Sequence, residues 1–143
     1  MSKSNVFETD ILELIFNATA LADLAENDAT SPATNLYVSL HTGDPGEAGD
    51  QTTSEATYTG YARVAVVRTS GGWTVASGAV TNLAAITFGL CTAGSNTITH
   101  VGVGVSISGA GYLIYSGALT ASLGVSAGIT PQFAAGELDI TED

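Results

Sequence analysis

The chain has 143 residues, of which 45% are apolar and only 12% charged, and its formal net charge is −11. That length fits one domain with one sizeable core, and that apolar share excludes disorder throughout. Lys3, Arg63 and Arg68 are the whole basic complement, which excludes direct nucleic-acid binding and disfavours anionic membrane surfaces, because phosphates are neutralised by clustered Lys and Arg.

The N-terminal segment reads as an amphipathic helix over 5–25. Phe7, Ile11, Leu14, Ile15, Ala18, Leu21 and Ala22 recur at spacings of three and four and share one stripe. Ser4 is the expected N-cap, and Glu8 and Asp10 suit the positive end of the helix dipole. Glu8, Asp10 and Glu13 interrupt any apolar region of a signal peptide, and no run is long and apolar enough for a membrane helix. The stripe of Phe7, Ile11 and Ile15 packs either on the rest of the chain or against other copies; it is too short to define a coiled coil. NDATSPAT (27–34) reads as a linker around Pro32, so residues 1–35 are taken as helix and linker and 36–143 as a β-domain.

The first strand is expected over 36–41, with Leu36, Val38 and Leu40 on one face and Tyr37, Ser39 and His41 on the other. A long polar loop, TGDPGEAGDQTTSEATYTG (42–60), follows, and Asp44-Pro45-Gly46 is strong turn chemistry. YARVAVVR (61–68) reads as a strand, joined by TSGG (69–72) to WTVA (73–76) in a hairpin. Further strands are expected at 79–83, 84–88, 97–105, 112–119, 121–126, 130–135 and 137–141. This spacing predicts a mainly β fold, an antiparallel sandwich or barrel, behind a short N-terminal amphipathic helix. The strands are too short, and aromatic girdles too few, for an outer-membrane barrel.

The charge is distributed unevenly. Acids cluster between Glu8 and Asp28, between Asp44 and Glu55, and from Glu137 to Asp143; from Ala56 to Gly136 there is none. So long an uncharged stretch points to an outward face covered by a partner or by other copies.

Catalytic patterns are weak. Cys91 is the one cysteine, so no internal disulfide forms, and FGLCTAGS around it matches no nucleophile motif. His41 and His100 read as hydrogen-bonded strand residues. Asp44, Glu47, Asp50 and Glu55 lack the alternate-position spacing of a calcium loop, and no two are marked as a glycosidase pair. GVGVSISGAG (102–111) lacks the lysine and following helix of a phosphate loop, and its glycines read as turn and strand glycines. No catalytic residue, metal or cofactor is expected. Tyr58, Tyr61, Arg63 and Arg68 bracket the return of the long loop and form either a contact patch or ordinary packing.

The segment LYVSLHTGDPGEAGDQTTSEATYTGYARVAV (36–66) resembles a family of small virion proteins of tailed bacteriophages. The resemblance continues through GWTV (72–75), THVGVG (99–104), GAGYLIYSGALT (109–120), GITPQFAAGEL (128–138) and ITED (140–143), and so covers nearly the whole chain. It implies a non-enzymatic virion part; family members carry two labels, tail-fibre protein and head decoration protein. The uncharged body with acid in one loop and at the ends favours a capsid decoration (cement) protein on the capsid surface, assembled in the host cytoplasm. Its partners would be the major capsid protein and copies of itself, with a trimer favoured. The alternative is a tail or tail-fibre component that binds host-surface carbohydrate. In either case the loop containing Asp44, Pro45 and Glu47 is expected to dock on a neighbour.

Overall fold

The computed structural model describes residues 5–20 and 32–141. One helix and nine strands occur among them: α1 (Asn5–Asn17), β1 (Asn35–His41), β2 (Val64–Val67), β3 (Trp73–Ala76), β4 (Ala79–Asn82), β5 (Ile86–Thr87), β6 (Ser95–Gly104), β7 (Leu113–Ser126), β8 (Gln132–Phe133) and β9 (Asp139–Thr141). The protein is mainly β, with antiparallel sheets and one short N-terminal helix, as the sequence predicts. Of the two expected forms the barrel is not adopted, because the sheets remain open.

Two compact units divide the chain: one holds Met1–Asn35, Val67–Ile86 and Phe133–Asp143, the other Leu36–Val66 and Thr87–Gln132. In the first, α1 packs on the sheet β3-β4-β9. Leu12 and Phe16 are fully buried, Ile11, Leu14 and Ile15 are partly covered, and the Phe16 ring meets Trp73 edge-on at 4.8 Å. The expected helix is shortened. It stops at Asn17, Ala18 takes φ 55°, and the Thr19 N–H returns to the Glu13 carbonyl at 3.1 Å. The Glu13 carboxylate accepts from the Asn17 amide and the Thr19 hydroxyl, which fastens this terminus. Ser4, and positions 21–25 of the expected helix, lie outside the described residues.

The hairpin also differs from expectation. β3 pairs with β4, not with β2, in the register Ala76↔Ala79, so the two-residue turn is Ser77-Gly78. Their φ angles of 53° and 74° match a turn with two left-handed residues, whose twist suits flanking strands better than the TSGG segment does.

The second unit is built on the sheet β2-β1-β6-β7. β1 and β6 run antiparallel with Leu40 opposite Val101 and His41 opposite His100. Leu36, Val38, Leu40, Ile98, Val101 and Val103 supply its core. The strands expected at 112–119 and 121–126 are one strand, β7. Its register steps from Ile98↔Leu123 to His100↔Ala118, so 119–122 bulge opposite Thr99, where the sequence suggests a break. The strand expected over 61–68 is confined to Val64–Val67, and those expected at 84–88 and 130–135 to two residues each, β5 and β8, which pair with each other.

Candidate functional site

The long loop 42–60 is not a free arm. Its second half returns along β1: the Thr42 N–H donates to Ser54 O and the Ala56 N–H to Leu40 O, both at 2.8 Å, and Glu55 bridges His41. Ser54 takes φ 55° to make this return. Three sets of buried polar side chains then fasten the loop to the sheet.

The first is an ion pair. Arg63 donates through Nε and Nη2 to Glu55 at 2.6 and 2.8 Å, and through Nη1 and Nη2 to the carbonyls of Ser106 and Gly109, both at 2.9 Å. The Tyr61 hydroxyl donates to Glu55 at 2.9 Å and accepts the Leu40 N–H at 3.1 Å, so it stands where a neighbouring strand would otherwise bond β1. The bonds from Glu55 hold the Arg63 guanidinium above its ordinary pKa, while burial pushes the Tyr61 phenol up strongly.

The second is Gln51, fully buried although it is a loop residue. Its Oε1 accepts the Ser106 N–H at 2.9 Å, its Nε2 reaches Tyr37 O at 3.5 Å, and its N–H donates to Gly111 O at 3.1 Å. A Cβ at Gly104 would lie 2.2 Å from Gln51 Cδ, and one at Gly111 would lie 2.2 Å from Gln51 Oε1. Those two glycines therefore form the slot that the side chain fills.

The third is His41, also fully buried. Its Nδ1 donates to Thr53 O at 2.8 Å, and its Nε2 faces the Ser39 hydroxyl at 2.9 Å. A carbonyl accepts only, so Nδ1 carries the proton and Nε2 takes the hydroxyl hydrogen. A Cβ at Gly102 would lie 2.7 Å from this Nε2. Burial lowers the His41 pKa, so the ring is held neutral.

These clamps leave a short tip exposed. Asp44, Gly46, Glu47 and Ala48 face solvent, while Pro45 is buried beneath them. Asp44 accepts the Gly46 N–H at 2.9 Å, and Asp50 accepts the Thr52 N–H and hydroxyl at 2.8 and 2.6 Å, bonds that depress the Asp50 pKa. The segment that Arg63 and Gln51 grip, 105–112, carries exposed Ile107 and Tyr112. Elsewhere in this unit an open groove of about 670 Å³ is lined by Thr42, Ser95, Asn96, Thr97, Gly124, Val125 and Ser126, with no charged side chain. The Asn96 side-chain Oδ1 accepts the N–H groups of Thr57 and Tyr58 at 2.8 and 2.9 Å, which fixes the amide on this wall.

The other expected contact residues are placed as follows. Tyr58 is buried and donates to Gly89 O at 3.0 Å, with its ring 5.5 Å from that of Tyr61. Arg68 donates to the carbonyls of Leu14 and Ile15 at the end of α1 and to Ala33 O at 3.3 Å; burial lowers its pKa. Ile11 and Ile15 sit on α1, half-buried, and Phe7 lies in α1 with its side chain outside the described set. Gln51, as fully buried as His41, goes unnoticed in the sequence. The signal for it is the glycine run opposite, since strand glycines mark a close approach.

No cluster of three or more metal-ligating side chains occurs among the described residues. Cys91 is buried with its thiol 3.5 Å from Ala93 O, and His100 Nδ1 lies 2.9 Å from the Thr99 hydroxyl. No helix among the described residues is long and apolar enough to cross a membrane.

The family match of the chain defines the protein as one of the phage structural class. Residues 2–141 match the family model described as podophage GP4 fiber I protein gp80, and the chain belongs to that family. No curated protein sequence matches it.

Proposed function

We propose that the chain is a non-enzymatic structural part of a podophage fibre, and that the tip 44–48 contacts a neighbouring virion component. The observation that carries this reading is the family match over residues 2–141, whose description is of a fibre protein. It favours the fibre over the capsid decoration role that the charge pattern alone suggests. The clamped tip supports it as well, because the exposed Asp44 and Glu47 are free to meet basic groups on a partner. The open groove supports the carbohydrate-binding form of the reading: hydroxyls and a fixed amide without formal charge suit a neutral saccharide.

Immunogold labelling of intact virions, read by negative-stain electron microscopy, tests the assignment. Gold on projecting fibres is expected. Gold spread over the head surface would overturn the fibre role and restore capsid decoration. Charge reversal at Asp44→Lys with Glu47→Lys isolates the tip, since neither carboxylate takes part in the clamps. The variant should remain folded and fail to incorporate into virions.

A further inference from the structure

Among the described residues of the four-stranded sheet, β7 has a neighbour on one side only, β6. Among the described residues, no loop backbone bonds the outer side of β7 between Ser116 and Gly124. In that stretch every residue except Leu119 is exposed.

An open edge is a row of unpaired donors and acceptors, and proteins shield such edges by shortness, Lys, Pro, charge or bulges. Shortness accounts for the other edges here. β2 has four residues, β3 four and β9 three. β7 has 14, and its sequence LIYSGALTASLGVS holds no charge and no proline. The bulge at 119–122 divides its regular pairing into two runs, 115–118 and 123–126, and a one-residue shift lies near Tyr115, so the bulge is the one shielding device on this edge.

We propose that the outer edge of β7 over 116–124 is the junction between copies of this chain, completed by a strand of a second copy. Three observations select a copy over another partner. A chain of net charge −11 repels itself wherever its acids lie, yet no acid occurs between Ala56 and Gly136. The edge carries Gly117, Ala118, Ala121 and Gly124, small enough for close backbone approach. Among the described residues, the only exposed strand whose length matches β7 is β7 itself. The inference rests on sheet geometry and is independent of the fibre reading.

The test is the solution mass of the full chain by light scattering, together with amide hydrogen exchange across β7. The wild type should be oligomeric at tens of micromolar, with the amides of 116–124 protected. Ala118→Glu with Ser122→Glu places like charges at the junction on two exposed positions. It should weaken association at least tenfold and speed exchange across 116–124, with an unchanged far-ultraviolet spectrum. Thr74→Glu, an exposed charge on β3, should leave the mass unchanged. A monomeric wild type overturns the inference, as does a double variant that keeps both mass and protection. Should the double variant misfold, dilution of the wild type decides: protection of the amides of 116–124 that point away from β6 must fall together with the mass, and protection of those amides that persists in the monomer refutes it.

Discussion

Replacing Arg63 with Met should release the long loop from the sheet. In the native chain the guanidinium makes four hydrogen bonds, two to Glu55 and one each to Ser106 O and Gly109 O. The Arg63 side chain is 2% exposed and that of Glu55 18%, so water cannot take over most of these bonds. Met fills comparable space and donates nothing. Glu55 then retains only the Tyr61 hydroxyl, and both carbonyls lose a charged donor. Removing one partner of a buried pair costs about 3–5 kcal/mol. The residual exposure of Glu55 places this case near the lower end, about 3 kcal/mol. Arg63→Met with Glu55→Gln removes the stranded charge and should be less destabilised than the sum of the singles by about 2 kcal/mol. Equilibrium urea unfolding followed by far-ultraviolet circular dichroism measures both quantities. Raising the salt should change the single-variant loss little, because a buried pair is poorly screened. A loss under about 1 kcal/mol, or no coupling between the two sites, would mean that the pair is hydrated and that this clamp does not hold the loop.

Three further outcomes follow from the same geometry. Gly104→Ala should expel Gln51 and expose 42–60 to limited proteolysis, whereas adding Gln51→Ala should restore much of the lost stability by vacating the slot; equal cleavage of both variants refutes the fit. His41 has a folded pKa below its ordinary 6.5, so below about pH 6.5 the unfolded chain takes up a proton that the folded chain refuses, and stability falls as pH falls. Above that pH both states are neutral and the effect vanishes; urea midpoints between pH 7.5 and 5.5 should decline more steeply for the wild type than for His41→Gln. Arg68→Gln should cost about 1–2 kcal/mol by freeing carbonyls at the end of α1, seen as faster amide exchange in that helix, and unchanged exchange would show that the carbonyls need no cap.

How far the sequence reaches is clearest strand by strand. β1, β3 and β4 follow from alternation and turn residues. β2 does not, because Tyr61 and Arg63 alternate correctly and yet leave the strand to bond Glu55. Two turn signals, TSGG and Ser77-Gly78, compete for one hairpin, and the pairing partner of β3 decides between them. Thr120 resembles a boundary, but a bulge absorbs the irregularity without ending β7. The site was visible only as a loop and a glycine run. What connects them, the Gln51 amide in the space left by Gly104 and Gly111, depends on residues about fifty positions apart meeting across a sheet, and periodicity carries no such information.

The clamps also join two surfaces that the sequence keeps apart. Arg63 and Gln51 grip both the acidic loop and the 105–112 segment, where Ile107 is 66% exposed and Tyr112 74%. An acidic tip and an apolar knuckle are thereby held by one set of buried bonds. A flexible arm would lose conformational entropy on docking, and rigid presentation reduces that loss. Buried polar groups set a single loop geometry only when fully satisfied. Arg63 has each nitrogen bonded, and the amide of Gln51 is bonded at both ends. Loosening either residue should therefore perturb both surfaces together, whereas substitutions at Asp44 or Tyr112 should each perturb one.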